Sequence, residues 1–306
     1  MPQATANDST RLYYEEAGTG TPILFLHEFA GDHRSWEPQV RYFSHRNRCI
    51  TYAARGYRPS DIPASQDAYT FEVFRDDALA VLDHVGVSKA HLVGLSMGGY
   101  SALQIGLRRP ERVLSLTLAG TGSGSEPVQQ EDFRAMARAT ADQFEALGSA
   151  AVANTFGSGP NRVPFLVKDP RGFGEFLNAF ASHDAQGSAR TLRGVQAGRP
   201  SIYDFEADLR RLRLPTLVIC GDEDDACLKP SLFLKATIPA SGLVMLQKTG
   251  HLVNLEEPAL FNAALKRFLA LAEAGRWVRR ASAVMSLTTL RRRSNGTGVR
   301  RATSLP

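Results

Sequence analysis

Cysteine is scarce in this chain: three residues among 306, Cys49, Cys220 and Cys227, at no spacing suited to a disulfide framework or a zinc site. That scarcity excludes a disulfide-stapled scaffold and fits free thiols in a reducing cytoplasm. Long apolar runs are absent too. No segment reaches the roughly 18 consecutive apolar residues of a membrane-spanning helix. The opening stretch MPQATANDSTRLYYEE has neither the basic flank nor the apolar core of a secretory leader, so no membrane partner is expected. No internal repeat is visible. A basic excess is missing from most of the chain despite a net charge of +5. Residues 275–306 hold eight arginines and no acidic residue; taking these eight from the 36 basic residues leaves 28 against 31 acidic ones. The body is therefore slightly acidic and carries no basic stripe, and nucleic acid is not an expected partner.

What is present is the composition of a globular protein, 43% hydrophobic and 22% charged, long enough to bury a large core. Short apolar runs such as PILFLH (22–27), RCITYAA (48–54), KAHLVG (89–94) and RVLSLTLAG (112–120) read as buried strands, and stretches of helical period lie between them. In TFEVFRDDALAVLDHVGV the residues Phe71, Phe74, Ala78, Val81, Leu82 and Val85 form one apolar stripe, with Thr70 placed to cap the helix and Gly86 to end it. The alternation resumes with PTLVICG (215–221), a helix around PSLFLKATI, GLVMLQ (242–247) and the helix PALFNAALKRFLALAEA (258–274). Strands alternating with helices predict an α/β fold, a mostly parallel, doubly wound sheet covered on both faces. RLYYEEAG (11–18) alternates and reads as an antiparallel edge strand. Between 121 and 214 the strand signal lapses into helical stripes rich in Phe. The expected division is a core of residues 1–120 and 215–274, a helical cap of 121–214 inserted after the sixth strand, and a basic, disordered tail of 275–306. The tail contains RRAS, RRRS and RRAT, patterns of basic-directed kinase sites.

One polar residue is placed where packing does not explain it. Gly94-Leu95-Ser96-Met97-Gly98 follows a predicted strand and opens a predicted helix. A strand turning straight into a helix holds the Ser in a strained conformation and lifts its oxygen clear of the sheet at the positive end of the helix. Flanking residues must then be Gly, and the amide of Met97 points at any anion that develops there. A Ser hydroxyl is a weak nucleophile and needs a base. His251, in KTGHLVNLEEP, lies after the last predicted strand, at the same end of the sheet. His84 and His91 fall within a helix and a strand, and His33, His45 and His183 have no supporting pattern. The base in turn needs a carboxylate. Asp222, Glu223, Asp224 and Asp225 follow the strand at 215–220, and spacing alone leaves the choice among them open.

The chain resembles the α/β-hydrolase superfamily from about Leu12 to Ala274, on the successive landmarks LHEFAGDHRSW, ARGYRPSD, GLSMGG, CGDEDDACLKP and TGHLVNLEEP. The resemblance implies Asp224, three residues after the strand-ending Gly221, as the acid. It also implies the amide of Phe29 as a second oxyanion donor beside that of Met97, with His27 and Glu28 bordering the site. Glu28 departs from the usual Gly, and its carboxylate either brings negative charge to the site or turns to solvent. Ala53 replaces the Asp that commonly opens the ARGYRPS stretch, a change expected to matter for structure rather than chemistry. The implied activity is a carboxylesterase or enol-lactonase working through Ser96, His251 and Asp224 with no metal or organic cofactor, on a small, partly apolar substrate. Carbon–carbon bond hydrolysis or perhydrolysis on the same triad is the nearest rival, and a non-catalytic ligand-binding protein of the same fold is the rival from another class. Dehalogenases and epoxide hydrolases carry Asp at the position of Ser96 and are disfavoured.

Overall fold

A computed structural model describes residues 2–280. Ser282, Ser294 and Thr303 of the Arg-directed motifs, and the disorder expected of the tail, lie outside the described residues. Eight strands, β1 (Gln3–Thr5), β2 (Arg11–Ala17), β3 (Thr21–Leu26), β4 (Asn47–Tyr52), β5 (Ala90–Leu95), β6 (Val113–Ala119), β7 (Thr216–Gly221) and β8 (Ser241–Leu246), form one sheet. Their order is β1-β2-β4-β3-β5-β6-β7-β8. From β4 to β8 every pairing is parallel, whereas β2 runs antiparallel to both β1 and β4. β2 is thus not the edge of the sheet, as its alternation suggested. The edge is β1, whose three residues are too short to show a period.

The parallel strands need crossovers, and helices supply them. Phe71–His84 packs on Met97–Arg108, and Glu37–Phe43 packs on Pro258–Glu273. The Thr70 hydroxyl accepts a hydrogen bond from the amide of Val73, and Gly86 takes a positive φ of 70° just past the last turn. The helix after β7 starts at Asp225, five residues earlier than PSLFLKATI indicated, and carries Pro230 inside it. Between β6 and β7 the described chain forms helices and no strand. Their apolar stripes meet in a cluster of Phe144, Phe165, Phe173, Phe176 and Phe180, all at most 5% exposed. Phe29, from the loop after β3, inserts its ring edge-to-face against Phe144, Phe156 and Phe180 and ties these helices to the core.

Arg55 shows what the ARGYRPS stretch does. The side chain is buried, its Nε and Nη2 each 2.6 Å from an oxygen of Asp77 and its Nη1 2.7 Å from Asp8. Burial pushes the Asp77 carboxyl up to about 6 even against the pull of Arg55. Removing the guanidinium would leave that carboxylate without its buried partner, a loss of about 3–5 kcal/mol. Arg55→Ala is therefore expected to lower Tm by more than about 6 °C in a calorimetric scan, and an unchanged Tm would show the pair to be idle.

The tail boundary at 275 requires correction. Trp277 is half-buried, its Nε1 donates to the carbonyl of Ala240 (2.9 Å), and its ring packs edge-on to Phe268. Arg280 reaches the carbonyls of Ala236 and Ile238. The helical period ends at Ala274, so a docked residue beyond it leaves no signal in the pattern. A chain ending at Gly275 is expected to melt below one ending at Arg280, by roughly the 1–3 kcal/mol of a buried large side chain; equal melting temperatures would refute the docking.

Candidate active site

The loops after β3, β5, β7 and β8 leave the same, carboxyl end of the parallel sheet, where open α/β sheets bind ligands. β5 is buried throughout, and Ser96, next after it, is the one half-exposed residue between Ala90 and Tyr100. Its φ of 53° is in the left-handed region, and its amide donates to the carbonyl of Ala119 (2.8 Å). That strain is held by close packing. A Cβ at Gly94 would fall on the backbone of Gly98, and one at Gly98 on the carbonyl of Leu26. Met97 opens the helix Met97–Arg108, so its amide has no partner within that helix. Among the described residues, neither the amide of Met97 nor that of Phe29 donates to another group.

Asp224 and His251 meet by a hydrogen bond of 2.7 Å between carboxylate Oδ2 and ring Nδ1. Asp224 is fully buried, while Asp222 and Asp225 are exposed. Asp222 accepts from the amide of Thr249 (3.2 Å), a bond that ties two loops, and Asp225 is the first residue of a helix. The bond to the carboxylate assigns the proton to Nδ1 and leaves Nε2 free for the cavity. Burial disfavours charge on the His251 ring, but the Asp224 carboxylate outweighs it and the ring's pKa is raised. Burial would likewise raise Asp224, yet His251 draws it below the usual carboxylate range. Ser96 Oγ makes no hydrogen bond to the ring; such contacts commonly tighten only once substrate is bound.

Residues that sequence reasoning did not single out hold this pair in place. Glu256 accepts from the amides on either side of His251, those of Gly250 (2.9 Å) and Leu252 (3.1 Å). The amide of His251 donates to the carbonyl of Asn161 (2.8 Å), in the helical segment. Gly120, at φ 48°, lies so close that a Cβ would sit 3.3 Å from the His251 ring. Cys227 Sγ is 4.0 Å from Nδ1 and donates to the carbonyl of Gly120. Burial pushes that thiol far up, so it stays protonated beside the pair.

Ser96, His251, Phe29 and Glu28 line one cavity of about 320 Å³, closed from the helical segment by Phe133, Phe156, Arg162, Arg199 and others. Of the many Phe in that segment, Phe133 and Phe156 line this cavity, while Phe144, Phe173 and Phe180 are the segment's own core. Glu28 does not turn to solvent. It is 1% exposed, and its Oε2 is 3.2 Å from Nη2 of the equally buried Arg162, whose guanidinium lies over the rings of Phe156 and Phe176. His27 does not border the cavity. Its Nε2 accepts from the amide of Ala54 and its Nδ1 donates to the carbonyl of Glu28. Burial lowers its pKa to about 4, so it is a neutral backbone clamp. Of the remaining histidines, His91 bonds Ser115, and His33 and His183 flank the buried Asp32.

Comparison with known proteins identifies the family to which this fold belongs. The profile of the alpha/beta hydrolase fold family matches residues 21–258. A 3-oxoadipate enol-lactonase of Acinetobacter baylyi is 28% identical over 78% of this chain and 85% of its own. A solved thermophilic esterase of Thermogutta terrifontis, described with malate bound, is 26% identical, with a TM-score of 0.78 over 89% of this chain and 98% of its own. A solved enzyme described as degrading N-acyl homoserine lactones is 28% identical, with a TM-score of 0.71 over 87% of this chain and 100% of its own. The sheet order, the strained serine after β5 and the family match lead to one conclusion: the chain belongs to the α/β-hydrolase fold family and is a hydrolase.

Proposed function

We propose that the protein is a serine hydrolase of small carboxylic esters or lactones, with Ser96 as nucleophile, His251 as base and Asp224 as the acid that orients it. The observation that carries this reading is the buried Asp224–His251 bond facing the same cavity as a serine held at positive φ. Ser96 Oγ attacks the substrate carbonyl as His251 Nε2 takes its proton. The amides of Phe29 and Met97 hold the oxyanion. Collapse expels the alcohol, which takes the proton from His251 and leaves an acyl-enzyme. Water then gives its proton to His251, attacks the acyl carbon and releases the acid with Ser96 restored. Every step is served by groups of this chain, and none calls for a metal or organic cofactor. The helical segment of 121–214 acts as a cap that shapes the cavity and excludes water, and its Phe133, Met136 and Phe156 favour a partly apolar substrate.

The ester and lactone assignment draws support from the lactonases and the esterase that the chain resembles. A panel of short p-nitrophenyl esters and of five- and six-membered lactones tests it. Turnover of members of either set is expected. Absence of turnover on both, together with cleavage of a vinylogous diketone, would move the reading to carbon–carbon bond hydrolysis. Absence of all turnover would remove the ester and lactone assignment.

A further inference from the structure

One buried cation in the wall of the cavity in front of Ser96 has no carboxylate in direct contact with it. Glu28 is paired with Arg162, and Asp224 with His251. Arg199 has no such partner: among the described residues no carboxylate comes within 4.0 Å of its guanidinium. It is nevertheless 5% exposed. Nη2 donates to the carbonyl of Ser123 (2.8 Å), and the guanidinium lies over the rings of Tyr100 (4.9 Å) and Phe133 (5.5 Å). Nη1 is buried with no hydrogen-bond partner. A clamp between the helical segment and the core accounts for the Nη2 bond and the stacking. It does not account for a full charge kept in the cavity wall with a donor idle. A buried cation of this kind is retained where an anion completes it, and a planar guanidinium matches a planar carboxylate.

We propose that Arg199 receives a carboxylate carried by the substrate, so that the natural substrate is an ester or lactone bearing a free carboxylate away from the scissile bond. This rests on the serine-hydrolase reading of the same cavity. A single uncompensated guanidinium balances a monoanion. A phosphate dianion would leave excess negative charge near Glu28 and against the oxyanion forming at Ser96.

The test compares kcat/KM within two matched pairs. One pair is p-nitrophenyl hemiglutarate and its neutral methyl ester, with the charge on the acyl side. The other is 4-carboxyphenyl butyrate and its neutral methyl ester, with the charge on the leaving group. The wild-type protein is expected to prefer the anionic member of one pair by at least about tenfold, a modest part of the roughly 10⁴-fold that a site built to hydrogen-bond a polar group can reach. In Arg199→Met that ratio is expected to fall to about one or below, whatever the absolute rates. A wild-type ratio near one in both pairs, or a ratio preserved in Arg199→Met, overturns the proposal. Should that variant fail to fold, the wild-type protein carries the test alone: glutarate is expected to slow fluorophosphonate labelling, and its diamide is not. Equal labelling with both, or equal slowing by inorganic phosphate, overturns the carboxylate assignment. Turnover of the neutral esters without preference removes the role of Arg199 only, whereas no turnover and no labelling would remove the serine-hydrolase reading with it.

Discussion

Ser96→Ala is expected to lower kcat for short aryl esters by roughly 10⁴ to 10⁶ while leaving Tm within about 2 °C of the parent, a change of under about 1 kcal/mol at this size. The two halves of this expectation have separate causes. Among the described residues Oγ has no hydrogen-bond partner that folding would miss, and Ala keeps the Cβ that the φ of 53° already accommodates. The elbow therefore persists without its nucleophile. No second hydroxyl in the cavity is lifted by a strand-to-helix turn; Ser123, the other serine in its wall, lies in the loop after β6. Steady-state assays on freshly purified protein decide the matter, and retention of more than a tenth of the parent kcat would exclude Ser96 as the attacking group.

Asp224→Asn is the second large effect, with a loss in kcat on the order of 10⁴. The amide keeps the shape of the carboxylate but offers its NH₂ or a neutral oxygen to Nδ1, which favours the wrong tautomer and no longer stabilises the imidazolium. A pH profile separates this from mere loss of fit. In the parent the raised pKa of His251 comes from Asp224 prevailing over burial, so the acid limb of kcat/KM lies above the ordinary histidine value. With the carboxylate gone, burial acts unopposed by it, and the acid limb of the residual activity moves to lower pH. Asp222→Asn and Asp225→Asn alter exposed groups that do not touch His251 and are expected to stay within about tenfold of the parent, a barrier change of no more than about 1.4 kcal/mol. A dead Asp222→Asn beside an active Asp224→Asn would reverse the assignment of the acid.

The parts of this molecule that were legible in the sequence are those in which one short stretch carries its own geometry. A Ser between Gly94 and Gly98 at a strand-to-helix turn can adopt few backbone conformations, so the elbow could be read locally. β3 to β7 announced themselves as apolar runs because the faces of a parallel sheet are buried, and β8, half-buried at the edge, is still apolar enough to be read. Position 224 required the family resemblance, because four adjacent acidic residues offer the same chemistry and only the path of the loop buries one of them. What stayed hidden depends on residues far apart in the chain. The Glu28–Arg162 pair joins positions 134 residues apart, and nothing in either neighbourhood announces the other. Arg199 stands in AGRPS, where no pattern marks it, and its burial exists only once the helical segment folds over Tyr100. Trp277 and β1 were missed for a simpler reason: a lone docked side chain and a three-residue strand are too short to carry a period.

Covalent labelling reads directly whether Ser96 is a nucleophile activated through His251. The full-length protein would be treated with a fluorophosphonate, digested, and the modified peptide located by mass spectrometry, beside His251→Gln treated identically. The predicted result is one adduct per chain, on Ser96, with labelling slowed by at least about a hundredfold in His251→Gln. Stoichiometric modification elsewhere, no modification at all, or labelling of Ser96 at an unchanged rate without the histidine would contradict it.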